Sequence, residues 1–364
     1  MNRYYYYLVA VNMLVNIIVF IPKILLNERK SGAVMAIVLA IFIALFLLYC
    51  YTNLMNQFPG KGLPELLKEN TAKWFYTVTI FLHGIMWFIA GLITLIGFTD
   101  LIKRFMNPDM PQTMIVIVFL AFITYAALLD SKKVLYSIEI ILLLSMPLIV
   151  VIFIKAYTSE SLNWDFVRLP LTYYYKLPDY TTISACAYTF QGFLNISIFN
   201  RVFTKKQVLK GNMLIGIGLF GLVTLFTTMF IPIGFQGFQG VGDLVFPWIV
   251  TSDSMRMQFI FVERVLYIFL LLFVGLSIIN IVIHWHVAVE YFKCIFTFKK
   301  LEWKGRNLSD YVIFLAFWVL TLTIANYLTE YQALKYTMIW LNFLIPFNLF
   351  GIAILWYFMR RAKA

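Results

Sequence analysis

The sequence predicts an all-α polytopic membrane protein of about ten transmembrane helices, and three observations carry that reading. Of 364 residues, 62% are hydrophobic and only 13% charged, with a mean hydropathy of +0.85; a soluble domain of this length has too little interior to hide so much apolar surface. Apolar runs long enough to cross hydrocarbon, roughly 20 residues each, recur along the whole chain. The charge gathers in the short connections between them. Because hydrocarbon offers backbone groups no partner, runs of this length must be helices.

The runs read roughly 4 to 25, 33 to 56, 74 to 98, 113 to 129, 134 to 154, 181 to 200, 212 to 234, 259 to 283, 311 to 328 and 336 to 358. The first follows Arg3 directly, has the length of a full span and ends at Pro22-Lys23 without a small-residue cleavage site, so it is expected to stay as a span. It contains VNMLVNIIVFIP, with Asn12 and Asn16 one turn apart on one helix face and Pro22 beyond them. Two readings stand: a helix unwound near mid-membrane whose amides meet a ligand, or asparagines that bond across to another helix. The third run holds His83, Gly84 and Trp87 in FLHGIMWF, where the glycine would let another backbone approach closely. The fourth is short. The fifth carries Glu139, an intramembrane carboxylate that is a proton or cation candidate or else the partner of a basic group near the cytoplasmic surface.

The sixth run, TISACAYTFQGFLNISIFN, is interrupted by Thr189, Gln191, Gly192, Asn195, Ser197 and Asn200. After the seventh comes FQGFQGVGDLVFPWIVTSDS, residues 235 to 254, too long and too rich in Gly and aromatics for a plain solvated linker. It reads as a lid or re-entrant piece, or as an interfacial loop anchored by Phe246 and Trp248. Glu263 and Arg264 open the eighth run as interfacial anchors, and His284 and His286, two apart, face different sides of a helix and make a poor metal pair.

Ten spans split into two halves of five, a first repeat at about 4 to 155 and a second at about 181 to 358, within one integral membrane domain spanning 1 to 364. The first and sixth spans, which open the halves, share the oddity of polar interruption, although no sequence repeat aligns. The net charge of +12 is explained by topology. Roughly twice as many Lys and Arg fall in the segments on the side of the termini as in those opposite, including Lys132, Lys133, Arg201, Lys205, Lys206 and Lys210. That bias predicts both termini in the cytoplasm and attraction to anionic lipid, with no call for nucleic acid. Cys50, Cys186 and Cys294 are odd in number and lack ligand spacing, so they read as packing residues. There is no P-loop, no H-E-x-x-H and no G-x-S-x-G; the sequence suggests no catalytic residue, metal or cofactor, and an enzyme is disfavoured.

With these segments in place, the chain resembles the B-subunit family of spore-germinant receptors, relatives of the amino acid, polyamine and organocation transporters. The resemblance rests on FPGKGLPELLKENTAKW (58 to 74), on the sixth span followed by TKKQVLK, on FPW (246 to 248) before IFVER (260 to 264), and on FLIPF (343 to 347) before the basic tail MRRAKA. It implies a ten-helix, five-plus-five inverted-repeat fold with broken helices 1 and 6, and residence in the inner membrane of a spore. It further implies a small-molecule germinant bound between those helices and partnership with an A-type membrane subunit and a C-type lipoprotein. Two positions depart from the family's pattern. Val15-Asn16-Ile17 stands where a G-x-G is common, and Leu194 where an acidic residue often follows the glycine of helix 6. Both touch the expected site, which puts an α-amino acid bound through its carboxylate in doubt and admits a sugar, a nucleoside or a different amino acid pose. On this footing Asn12, Asn16, Thr189, Gln191 and Gly192 are the expected ligand contacts, with His83, Trp87 and Tyr267 lining the pocket. Three functions follow: a germinant-sensing subunit, a proton-coupled transporter using Glu139, or a scaffold subunit without its own ligand.

Overall fold

A helix that must stop inside a membrane leaves polar backbone groups to be satisfied, and this chain stops twice. A computed structural model describes residues 2–18, 20–106, 108–255, 264–296, 302–303, 306–307 and 309–363. Helix α1 (Arg3–Val15) ends at a turn, and α2 (Ile21–Asn27) resumes beyond it with Pro22 in its first turn, where a missing N–H is harmless. Then follow α3 (Ala33–Met55), the short α4 (Leu63–Asn70), α5 (Lys73–Phe105), α6 (Gln112–Ala127), α7 (Ser131–Tyr157) and the small α8 (Trp164–Arg168). The second interruption follows α9 (Tyr180–Tyr188): the chain continues as tighter 3-10 turns at Gln191–Asn195 and Asn200–Val202 on either side of α10 (Ile196–Phe199). It then runs through α11 (Gly211–Gln236), the short α12 (Pro247–Ser254), α13 (Val265–Lys293), a two-residue hairpin of β1 (Glu302–Trp303) and β2 (Arg306–Asn307), α14 (Ser309–Tyr327) and α15 (Glu330–Lys363).

Seven of these helices, α3, α5, α7, α11, α13, α14 and α15, are long and apolar enough to cross a membrane alone, and α6 is a shorter apolar helix. With the two interrupted segments, this gives ten candidate crossings among the described residues, in two sets of five, each opening on a broken one. Five is odd, so the second set runs in the opposite sense to the first, an inverted five-plus-five order. The chain is an integral membrane protein.

Several helix ends differ from expectation, and α5 runs seven residues past 98 to Phe105. Helix α13 continues ten residues past 283, and α15 starts at Glu330 rather than 336. The extension of α13 is polar by sequence yet lies inside protein: His286 bonds the Ala127 carbonyl at 2.9 Å and the Ser131 hydroxyl at 2.8 Å, while Glu290 pairs with Arg201 at 2.6 Å. Helices α5 and α13 pack together at the centre. Gly91 lies against the Trp285 indole and Gly84 against the Phe292 ring, so what Gly84 admits is an aromatic face rather than a backbone.

The 235–254 segment folds as a packed cap. Trp248 is fully buried and stacks on Phe269 at 5.8 Å, and Phe246 is buried beside Phe105; neither is an interfacial anchor. The cap is tied to the end of the first segment by Lys23, which donates to the Gly242 carbonyl at 2.6 Å, and by Arg29, which donates to the Phe238 and Gln239 carbonyls. Glu263 and most of IFVER lie outside the described residues, and Arg264 stands 3.9 Å from Asp253.

Among the described glycines, the tightest approach to another stretch of backbone is between the broken segments. A Cβ on Gly192 would overlap the backbone carbonyl of Leu8 and crowd the Val9 Cα, and main chain cannot swing aside as a side-chain tip can. Gly192→Ala is therefore expected to lower stability by about 1–3 kcal/mol or more, seen as a lower melting temperature in detergent; a wild-type melting curve would show that the two segments separate freely.

Candidate functional site

Asn12 settles what becomes of the freed carbonyls in the sixth segment. Its Nδ2 donates to the Tyr188 carbonyl at 2.6 Å and to the Thr189 carbonyl at 3.0 Å, where α9 stops. Asn16 turns back on its own segment and donates to the Asn12 carbonyl at 2.7 Å. The amides of Asn16, Ile17 and Ile18 bond the carbonyls of Asn12, Leu14 and Val15, each at 3.3 Å, in the tight turn that ends α1. The Thr189 hydroxyl likewise bonds within its segment, to Cys186 at 2.7 Å. Four of the expected ligand contacts, Asn12, Asn16, Thr189 and Gly192, thus form a joint between the first and sixth segments, bonded to protein or pressed against backbone.

One turn further along the sixth segment the arrangement changes. Gln191 is 5% exposed, and neither its Oε1 nor its Nε2 has a hydrogen-bond partner among the described residues. It borders a cavity of about 20 Å3 between the sixth segment, α5, α13 and α15. Across that cavity stand Trp87, His284, Trp340 and Phe347. The Trp87 indole donates to the Asn195 Oδ1 at 2.7 Å, and Asn195 in turn donates to the Gly192 carbonyl at 3.0 Å, so that pair is satisfied and rigid. His284, also on the cavity wall, uses Nδ1 on the Asn280 carbonyl at 2.7 Å. The Trp340 indole N–H is buried without a partner among the described residues, its ring held edge-to-face against Tyr188 at 5.2 Å. No Asp, Glu, Lys or Arg lines the cavity among the described residues.

A cavity of that volume has room for about one water. A second, larger and almost wholly apolar cavity of about 360 Å3 shares the walls α5 and α15 and adds α14 and Phe20, at the break of the first segment. Ile89 and Ala90, neighbours on α5, border one cavity each; Thr337 and Trp340, one turn apart on α15, do the same.

The other expected residues fall elsewhere. His83 lies behind Trp87 in an aromatic cluster with Tyr291 and Phe347, 4.5 Å from the latter's ring centre, and bonds the Thr79 carbonyl. Tyr267 does not join the group: it is 57% exposed, about 25 Å along α13 from His284 at 1.5 Å per residue. Glu139 accepts from Arg3 and from the Tyr4 hydroxyl, each at 3.0 Å, on the side of the termini and away from the cavity. His284, Trp340 and Phe347 were not among the expected ligand contacts. The signal for the last two was a shared face of α15, residues 340, 344 and 347 at helical spacing.

A family model described as spore germination protein matches residues 4–332. Among solved structures, the chain is similar to Mhp1, a nucleobase-cation-symport-1 family transporter in a closed conformation with bromovinylhydantoin bound. The identity is 13%, the match covers 90% of this chain and 72% of that one, and the TM-score is 0.48. No curated protein matches the sequence.

The joint makes a graded prediction. Asn12→Leu strips two buried carbonyls of their donor, at about 1–3 kcal/mol for each unsatisfied group. Asn16→Leu removes one bond to a carbonyl that keeps the Asn16 backbone N–H, worth roughly 1 kcal/mol. Melting of the two variants in detergent should therefore rank Asn12→Leu well below Asn16→Leu, and the reverse order would overturn the assignment of Asn12 as the bridge.

Proposed function

Because this chain belongs to the spore germination protein family, we propose that it is a germinant-sensing subunit that takes a small molecule in the cavity beneath the sixth segment. The observation that carries this reading is the Gln191 amide, buried with both polar atoms unpartnered among the described residues, on a cavity that it shares with the equally unpartnered Trp340 indole and other aromatic side chains. Burying a polar group without a partner is expensive, and such groups gather where a ligand supplies what the protein lacks.

Sensing follows as a population shift. The closed arrangement holds a cavity too small for a nutrient molecule, so a ligand that fits only a wider cavity favours the open state by its differential affinity for the two. The change in the helices that wall the cavity is then read by the partners the family resemblance implies, an A-type membrane subunit and a C-type lipoprotein, in the spore inner membrane with both termini in the cytoplasm. The excess of basic residues on the terminal side suits an anionic lipid surface. A proton-coupled transporter is the weaker reading, since Glu139 is engaged by Arg3 outside the cavity.

The proposal separates stability from response. Gln191→Leu removes an unpartnered amide, so the variant is expected to melt at or slightly above the wild-type temperature. A panel of amino acids, sugars and nucleosides is then screened by thermal shift. A ligand at about 100 times its Kd stabilises wild type by roughly 2.7 kcal/mol, and the same compound should leave Gln191→Leu unmoved. A ligand shift that survives in the variant would place binding elsewhere.

A further inference from the structure

Resting on that reading of the cavity, we propose that its ligand is an uncharged, flat molecule with a hydrogen-bond donor and acceptor side by side, as in a carboxamide or lactam edge, rather than a zwitterionic α-amino acid. Three observations converge on this class. First, many of the backbone groups that the broken helices could offer to a carboxylate or an ammonium are already occupied among the described residues. The amides of residues 16 to 18 are bonded within their own turn. The carbonyls of Tyr188 and Thr189 take the Asn12 amide, those of Cys186 and Ala187 take the N–H groups of Thr189 and Phe190, and that of Gly192 takes Asn195. Gly192, which would let a ligand lie on the main chain, is instead covered by Leu8 and Val9.

Second, no charged side chain among the described residues lines the cavity, and a zwitterion drawn from water into low dielectric needs countercharges or a dense set of dipoles. Third, the unpartnered polar groups at the cavity are uncharged, the Gln191 amide and the Trp340 indole N–H. A primary amide with both ends unpartnered presents a donor and an acceptor in one plane, which pairs with a molecule presenting the complementary acceptor and donor. The rings of Trp87, Tyr188, Trp340 and Phe347 around it offer faces and edges to a flat ligand. Buried polar groups that go unpaired with the wrong ligand make such a site strongly selective.

Room for the ligand comes from Trp340. Its indole forms no hydrogen bond among the described residues, and it stands one turn from Thr337, which borders the 360 Å3 cavity. In the proposed ligand-bound state this side chain turns toward the larger cavity to widen the smaller one, and its indole N–H gains a ligand acceptor.

The test uses the full-length chain in detergent and four probes: nicotinamide and uracil as flat amides, L-alanine and L-valine as zwitterions. Thermal shift and isothermal titration are run on wild type, Gln191→Leu and Trp340→Ala. The expected result is a response to at least one flat amide and to neither zwitterion, weakened at least tenfold by Gln191→Leu. A response to L-alanine or L-valine that Gln191→Leu abolishes keeps the cavity but overturns the ligand class. A flat-amide response that both variants retain in full overturns the cavity as the site. No response to either flat amide at millimolar concentration, in wild-type protein that melts cooperatively, overturns the proposal.

Discussion

The structure depends on the bridge from the Asn12 amide to the Tyr188 and Thr189 carbonyls. A spanning helix satisfies its backbone within itself, so each interruption of a span frees acceptors and donors that hydrocarbon cannot solvate. This chain pairs its two interruptions with each other. One asparagine side chain from the first segment serves two carbonyls of the sixth, and the absence of a Cβ at Gly192 lets the two main chains come close enough for it to reach. Without the glycine the segments stand too far apart for the amide, and without the amide the closeness has no polar reward. The pair then fixes the position of Gln191, one turn on, against α5, α13 and α15.

Both ends of the bundle are closed by charge, in different ways. On the side of the termini, Arg201 at the end of the sixth segment reaches Glu65 of α4 at 2.8 Å and Glu290 of α13 at 2.6 Å, while Lys293 reaches Glu290 at 2.9 Å and Asp310 of α14 at 3.2 Å. Burial acts to lower the pKa of the Arg201 guanidinium, but its hydrogen bond and charge pairing with Glu65, and the charge of Glu290, hold it above the ordinary value. Pairs buried in this way are costly to break because the partner is left as an isolated charge. Asn200, next in the chain, donates to the Phe58 and Lys61 carbonyls at 2.8 and 2.7 Å, so the same turn is held by neutral bonds as well. On the opposite side, the α5 to α15 tie is Arg104 with Glu330 at 3.0 Å, half exposed and correspondingly weak. The asymmetry makes the terminal side the firm end and leaves the helices flanking the larger cavity the easier ones to part.

The spans were legible in the sequence because length and hydropathy are one-dimensional quantities: the breaks fell where Asn16 and Pro22, and then Gln191-Gly192, interrupt apolar runs. The faces were not legible. Helix α13 is apolar around its whole circumference because it is packed on nearly every side, so no stripe distinguished His284, which borders the cavity, from Tyr267, which faces outward. Trp340 was hidden for the same reason, being one aromatic residue among many. Glu139 was visible as an anomaly, but its meaning depended on Arg3 and Tyr4, more than 130 residues away. The asparagines were the instructive case. Composition marked them as groups that must find a partner and left two partners open, ligand or helix; the distance from Asn12 to the sixth segment gives its amide N–H groups a helix partner.

That decision turns on bonding capacity rather than polarity. Asn12, Thr189, Asn195 and Gln191 are all buried polar residues on the two broken segments, and by residue type any of them suits a ligand site. Asn12 has spent its donors on carbonyls and keeps only its Oδ1 unpartnered among the described residues, Thr189 has its hydroxyl on its own helix, and Asn195 has Trp87 at its acceptor and the Gly192 carbonyl at its donor. Gln191 has spent nothing. In a medium where unmade hydrogen bonds carry their full desolvation penalty, a group with its whole capacity in reserve, placed among satisfied neighbours that hold it rigidly, is the one whose energy a ligand can change most. Satisfied groups define the shape of the site, and the unsatisfied ones, the Gln191 amide foremost, define what the site recognises.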